Sequence, residues 1–340
     1  MPSMSVQKDL IWSSSDIVGE FKTILMDNVE LPVPLVAIKS LIKVLASSSS
    51  STMTEFTKEL ETYSRKLLSA YQNSISISAG SELFKRFVTR IGGELPHLEF
   101  GDFKRMLLER GKNFAEISRA IEIRETIANL AFHFIQDGST ILIHSYSKVV
   151  MGLLTKAHLD KRKFSVYVTE ARPTTKGERA VKYLQSMKIQ ASLILDSAVG
   201  YFMEKVDAVL VGAEGVVENG GIINQIGTYQ ISIIARAANK PLYAVAESFK
   251  FVRIFPLNQY DLPSNFSVTV QPENFPLSKI LASDNSSSLL QSAKDPERDC
   301  IEEPNPFVDF TPPSYISLLF TDIGVLTPSG VSDELIKLYY

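Results

Sequence analysis

From Asp137-Gly138 onward the sequence alternates short apolar runs rich in β-branched residues with amphipathic stretches of helical length, and nothing else in it constrains the fold as strongly. The runs are Thr140 to His144, Phe164 to Thr169, Ala191 to Leu195, Ala208 to Val211, Leu242 to Ala246 and, after a long gap, Ile316 to Phe320. A spacing of roughly 20 to 30 residues is that of βαβ units, and strands buried on both faces have no clean apolar–polar alternation. The expected fold class is α/β: a doubly wound, mainly parallel, Rossmann-like sheet domain over 136–340. Within it, Pro, Asn and Ser clusters between Lys250 and Ser314 predict an irregular excursion with a mobile middle near 282–298. Asp333 to Tyr340 can form one short closing helix.

The stretch 1–135 reads as a helical domain. Phe56, Leu60, Tyr63, Leu67 and Tyr71 recur at steps of three or four, as do Leu83, Phe84, Phe87, Val88 and Ile91, giving each segment one apolar face. A third pattern from Phe103 through Met106, Leu107, Ile117, Ile121, Ile127, Leu130 and Phe134 fits either a helix pair or one long helix. The Ser run 47–51 is expected to be a flexible connector between the first two helical blocks.

Bulk properties exclude several classes of function. With 340 residues, 45% of them hydrophobic, the chain can bury a large core without covalent staples. Its single cysteine, Cys300, permits no intrachain disulfide and no cysteine-based zinc site, which fits a reducing compartment, the cytosol. Residues 1–10 lack the features of a signal peptide, and no run approaches the roughly 20 apolar residues that cross a bilayer, so no membrane association is expected. Lys+Arg 35 against Asp+Glu 38 leaves a net charge of -3, with no global field for nucleic acid. Lys161-Arg162-Lys163 falls at an expected helix-to-strand turn, where a solvated surface is the ordinary reading.

Ligands of open parallel sheets bind beyond the carboxyl ends of the strands, which directs attention to the segments that follow the runs. One is His144-Ser145-Tyr146-Ser147-Lys148. A second is Val211-Gly212-Ala213-Glu214-Gly215, leading to Glu218-Asn219-Gly220-Gly221. A third is Asn224-Gln225-Ile226-Gly227-Thr228, where Thr228 can cap a helix with the apolar face Ile231, Ile234 and Ala238. Free N–H groups at that helix start would favour an anion such as phosphate. Plainer readings stand beside these: Gly212, Gly215, Gly220 and Gly221 permitting positive-φ turns, Glu214 as a surface or interface carboxylate, and Ser145 and Ser147 as helix caps. His97, His133, His144 and His158 have no metal-ligand spacing, and structural roles are expected for them. The dinucleotide fingerprint, the phosphate loop and the Gly-x-Ser-x-Gly elbow are all missing from the sequence.

Together these loops resemble the alpha/beta/delta family of eukaryotic translation initiation factor 2B subunits, whose fold is shared with ribose-1,5-bisphosphate and methylthioribose-1-phosphate isomerases. The resemblance is carried by Ser81-Glu82-Leu83-Phe84, Thr140 to Val150, the phrase Val211 to Thr228, Ala246-Glu-Ser-Phe-Lys-Phe251, Asp309-Phe-Thr-Pro-Pro313 and Thr321 to Tyr339. It spans almost the whole chain, weakening before about residue 50 and between 270 and 300. Length, the Ala-Glu-Ser-Phe-Lys-Phe phrase and the lack of a long disordered arm resemble the alpha group.

The resemblance implies a site and its loss. The isomerases have a Thr-His-Cys-Asn phrase with a catalytic cysteine, where this chain has Ile143-His144-Ser145-Tyr146. A serine hydroxyl has no accessible anion near pH 7, whereas a thiol does. Their Val-Gly-Ala-Asp phrase ends here in Glu214, and their Asn-Lys phrase becomes Asn224-Gln225. No catalysis is therefore expected, no catalytic residue is assigned, and no cofactor or metal is called for. Ser145, Lys148, Glu214, Asn219, Asn224, Gly227 and Thr228 remain the candidate sugar-phosphate or anion site, with Lys148 as charge partner. The resemblance further implies a regulatory and assembly subunit of the guanine nucleotide exchange factor for initiation factor 2. Its partners would be the beta, gamma, delta and epsilon subunits of factor 2B, a second copy of itself, and the phosphorylated alpha subunit of factor 2. An active aldose–ketose sugar-phosphate isomerase is the alternative.

Overall fold

The computed structural model describes residues 16–28, 31–71, 74–94, 99–262, 267–268 and 305–339. Six helices come first: α1 (Ile17–Asp27), α2 (Val33–Ala46), α3 (Met53–Ala70), α4 (Ser74–Glu94), α5 (Phe100–Phe114) and α6 (Ile117–Ala131). The helix α2 is apolar on nearly every side, burying Leu35, Val36, Ile38, Leu41, Ile42, Val44 and Leu45, and α1, α3, α4 and α5 pack around it. Local chemistry sets the ends. Asp16 accepts from the Val18 amide at 3.1 Å, and Thr52 accepts from the Glu55 amide at 3.3 Å. The serine run is engaged at both of its ends: Ser47 donates to the Val44 carbonyl at 2.8 Å, while the Ser51 amide and hydroxyl donate to Glu55. The third apolar pattern resolves into the pair α5 and α6, parted at Ala115-Glu116.

The strands that follow are β1 (Thr140–His144), β2 (Ser165–Thr169), β3 (Gln190–Ile194), β4 (Ala208–Gly212), β5 (Gly215–Val216), β6 (Ile222–Gln225), β7 (Leu242–Val245), β8 (Ser267–Val268), β9 (Asn305–Pro306), β10 (Val308–Thr311), β11 (Leu318–Thr321) and β12 (Gly324–Leu326). Interleaved with them are α7 (Lys148–Leu159), α8 (Lys176–Ser186), a short α9 (Val199–Phe202), α10 (Thr228–Ala237) and a closing α11 (Pro328–Tyr339). The main sheet has seven strands in the order β12-β11-β7-β4-β1-β2-β3. All neighbours pair in parallel except the edge strand β12.

Both faces of the sheet are covered, as the unbroken apolar runs require. Ile141, Ile143, Val166 and Leu210 pack beneath α7 and α8, and α6 joins that layer through Ile127 and Ala131. Leu142, Val209, Val211 and Ala244 face the other way, against α9, α10 and α11. The strand order reverses between β1 and β4, and a crevice opens there beyond the strand ends. A small antiparallel sheet, β10-β6-β5, closes over it and packs on the start of α4 through Ile75 and Ala79.

Three expectations change. The excursion 250–314 contains an ordered strand, β10, paired with β6 from Val308↔Gln225 to Thr311↔Ile222. It is four residues long and Pro-flanked, too short for a periodicity signal. The closing helix begins at Pro328 rather than near Asp333, because proline suits the first helical position and Thr327 accepts from the Gly330 amide at 3.2 Å. Of the glycines read as turn formers, only Gly220 has positive φ, at 83. The others sit where backbone and side chains come close: a Cβ on Gly212 would lie 2.5 Å from Ser147 Oγ, and one on Gly215 2.7 Å from Ile75 Cγ2. Segment 282–298, Cys300 and His97 lie outside the described residues.

Candidate functional site

The crevice holds a cavity of about 250 Å³ between the C-terminal ends of β1, β4 and β7 and the helical part of the chain. Ser145 and Lys148 line it from the segment after β1, Ala213 and Glu214 from the end of β4, and Asn224 and Gln225 from β6. Val33 and Pro34 at the start of α2, Ser76 of α4 and Arg124 of α6 form the opposite wall.

His144 and Ser145 anchor the wall after β1. The buried His144 ring meets Thr169 Oγ1 at 2.6 Å through Nδ1 and the Ile226 carbonyl at 2.9 Å through Nε2. A carbonyl only accepts, so Nε2 carries the proton and Nδ1 accepts from the threonine hydroxyl. Burial holds this histidine below its ordinary pKa, which keeps it the neutral strut that these bonds require. Ser145 adopts left-handed backbone, φ 64, a strained conformation for a non-glycine residue. Its hydroxyl donates to Gln225 Oε1 at 2.6 Å. The Gln225 amide nitrogen donates to the Ala171 carbonyl and to Thr174 Oγ1. Gln225 thus ties the serine to the loop after β2, with its hydrogen-bonding groups occupied.

The predicted phosphate cradle at the start of α10 is filled by the protein itself. Asp309 of β10 accepts from the Gly227 amide at 2.8 Å and the Tyr229 amide at 2.9 Å through one oxygen. The Asp309 carboxyl group takes the position expected for an external anion. Burial pushes the Asp309 carboxyl up to about 7 against the pull of those amides. The cap residue is Gly227, φ 102, and not Thr228. Thr228 is fully buried. Its hydroxyl donates to the Gln225 carbonyl at 2.7 Å and accepts from Asn224 Nδ2 at 3.0 Å. Asn219 also turns inward, donating to the Pro256 carbonyl and accepting from the Gly221 amide at 2.9 Å. The cavity therefore gathers Ser145, Lys148, Glu214 and Asn224, while Asn219, Gly227 and Thr228 shape the loops behind it.

Sequence reasoning missed a charged network that crosses the cavity. Glu247, at the end of β7 and only 2% exposed, meets Arg124 Nε at 3.2 Å and Lys250 Nζ at 2.9 Å. Burial works to raise its carboxyl, but Lys250 and Arg124 outweigh it and hold Glu247 below the usual carboxylate range. Lys250 also donates to the Ala213 carbonyl at 2.8 Å, and Glu214 accepts from Ser76 Oγ at 2.7 Å. Arg124, Lys148, Lys176 and Lys250 surround the space with Glu214 and Glu247, so cations predominate in its lining. Glu247 was within reach of the rule that directs attention to strand ends. Arg124, in mid-helix, carries no such signal.

A helical bundle laid against a doubly wound, mainly parallel sheet, with a cation-rich cavity at the switch point, defines the α/β class to which the chain belongs. The model of the Initiation factor 2 subunit family matches residues 30–328, and the chain belongs to that family. It is 44% identical over 335 residues to a protein of Dictyostelium discoideum named translation initiation factor eIF2B subunit alpha, covering 98% of each chain. A ribose 1,5-bisphosphate isomerase of Methanocaldococcus jannaschii is 30% identical over 227 residues, 67% of each chain. Among solved structures, a chain of the tetrameric eIF2B-beta2-delta2 complex from C. thermophilum superposes with a TM-score of 0.69 at 16% identity, covering 95% of this chain and 96% of that one. At that identity the likeness speaks for the fold.

Proposed function

We propose that the chain is a non-catalytic regulatory and assembly subunit of the guanine nucleotide exchange factor for initiation factor 2, working in the cytosol. The full-length 44% identity to an eIF2B alpha subunit carries this reading. The local chemistry supports it: the hydroxyl after β1 is tied to Gln225, and the carboxylate after β4 is engaged by Ser76. General acid–base catalysis needs a group within reach of the substrate whose proton is free to move near neutral pH. On this reading the chain pairs with a second copy and joins the beta, gamma, delta and epsilon subunits. Its helical part contributes to sensing the phosphorylated alpha subunit of factor 2. The cavity holds a sugar phosphate as a ligand, its phosphate drawn to the cations that line it.

The isomerase likeness supports a second reading, an aldose–ketose sugar-phosphate isomerase. Incubation of the purified protein with ribose-1,5-bisphosphate and methylthioribose-1-phosphate, followed by NMR, separates the two. The subunit reading expects no product; turnover abolished by Glu214→Ala would establish the isomerase.

A further inference from the structure

At the opposite end of the sheet, where β1, β2 and β3 begin, a trough of about 600 Å³ is lined by Lys161, Arg162, Lys163, Lys188 and His158, and no carboxylate lines it. Among the described residues none of the three lysines or the arginine makes an ion pair. Helix dipoles explain part of this charge, since α7 and α8 both end here and their carbonyl ends attract cations. They do not explain Arg162 and Lys163, which lie beyond α7. Nor do they explain the backbone: Lys161 and Lys188 occupy left-handed conformations, φ 67 and φ 62. Asn or Gly suits that conformation better, and the return into β7 uses Asn239 there, φ 56. Two adjacent helix returns thus place lysine where a better-suited residue exists, and both lysines line one trough.

We infer that this basic trough is a docking site for an acidic, extended peptide segment of a partner protein. A lone phosphate would leave most of the space to water. Nucleic acid is disfavoured, because the lining holds one partly buried phenylalanine, Phe164, and so no row of aromatic faces on which successive bases could stack. The net charge of -3 likewise supplies no global field that would draw in a phosphate backbone. Leu159, which follows His158 at the end of α7, is 67% exposed, so a segment of Asp and Glu carrying one large aliphatic residue is the form to test.

The test uses the full chain and a fluorescein-labelled Asp/Glu peptide with one central Leu, read by anisotropy. Binding should weaken between about 0.1 M and about 1 M NaCl, as the screening length falls from about 10 to about 3 Å. Lys161→Asn with Lys188→Asn suits the left-handed backbone and protects the fold; combined with Arg162→Gln and Lys163→Gln, it should lower affinity about tenfold or more. Lys58→Gln with Lys66→Gln, which removes charge from α3 instead, should leave binding unchanged. No binding of the peptide, or undiminished binding by the trough variant, would overturn the proposal. So would tighter binding of a single-stranded RNA of matched charge.

Discussion

Glu247 shows how burial turns a charge into an obligation. It is almost sealed from water between Arg124 and Lys250, so removing its charge would leave two cations without their partner. Breaking such a pair costs about 3–5 kcal/mol. Glu247→Gln should therefore lose about 3 kcal/mol in urea unfolding at pH 7. Because the folded-state carboxyl lies below its unfolded value, that contribution is present above the unfolded pKa and disappears as pH falls through the folded one. The two proteins should converge in acid, and a constant difference would refute the assignment. Asp309 has the opposite sign. Its folded value, about 7, lies above the ordinary aspartate value of 3.8, so the proton it retains stabilises the fold at low pH, and this is lost as pH rises towards 7. Asp309→Asn keeps an acceptor for both amides and removes the titration. Wild type should lose stability relative to it between about pH 4 and about pH 7, whereas parallel curves would contradict the buried, proton-holding cap.

At the scale of elements, the strands after Asp137 could be read from the sequence because burial on both faces demands continuous apolar runs, and each expected run lies within two residues of a strand. The helical third was legible where one face is polar, as in α3. It was less so in α2, where packing on all sides removes the period. The site was only half legible. Strand-end residues such as Ser145 and Glu214 follow from topology alone. The partner of the α10 amides comes from β10, 82 and 80 positions away in sequence, and no local pattern reports such a pairing. Gly227 joins these two levels, with φ 102 at the cap and a Cβ there only 3.1 Å from His144 Cε1. Gly227→Ala should cost about 1–3 kcal/mol and shift the His144 ring resonances. An unchanged melting temperature would mean that the His144, Ile226 and Asp309 linkage does not set this turn.

For the whole molecule, the cavity lies between the two parts of the chain: α2, α4 and α6 on one side, the ends of β1, β4 and β7 on the other. An occupant there would touch both the helical bundle and the sheet. In that space the Ser145 hydroxyl donates to Gln225 and the Glu214 carboxylate accepts from Ser76. Affinity capture of the tagged full chain from cytosol, with the co-purifying proteins identified by mass spectrometry, tests the assembly role most directly. The account predicts recovery of the beta, gamma, delta and epsilon subunits of initiation factor 2B in fixed proportion to the chain. Recovery of the chain without any of them would contradict it.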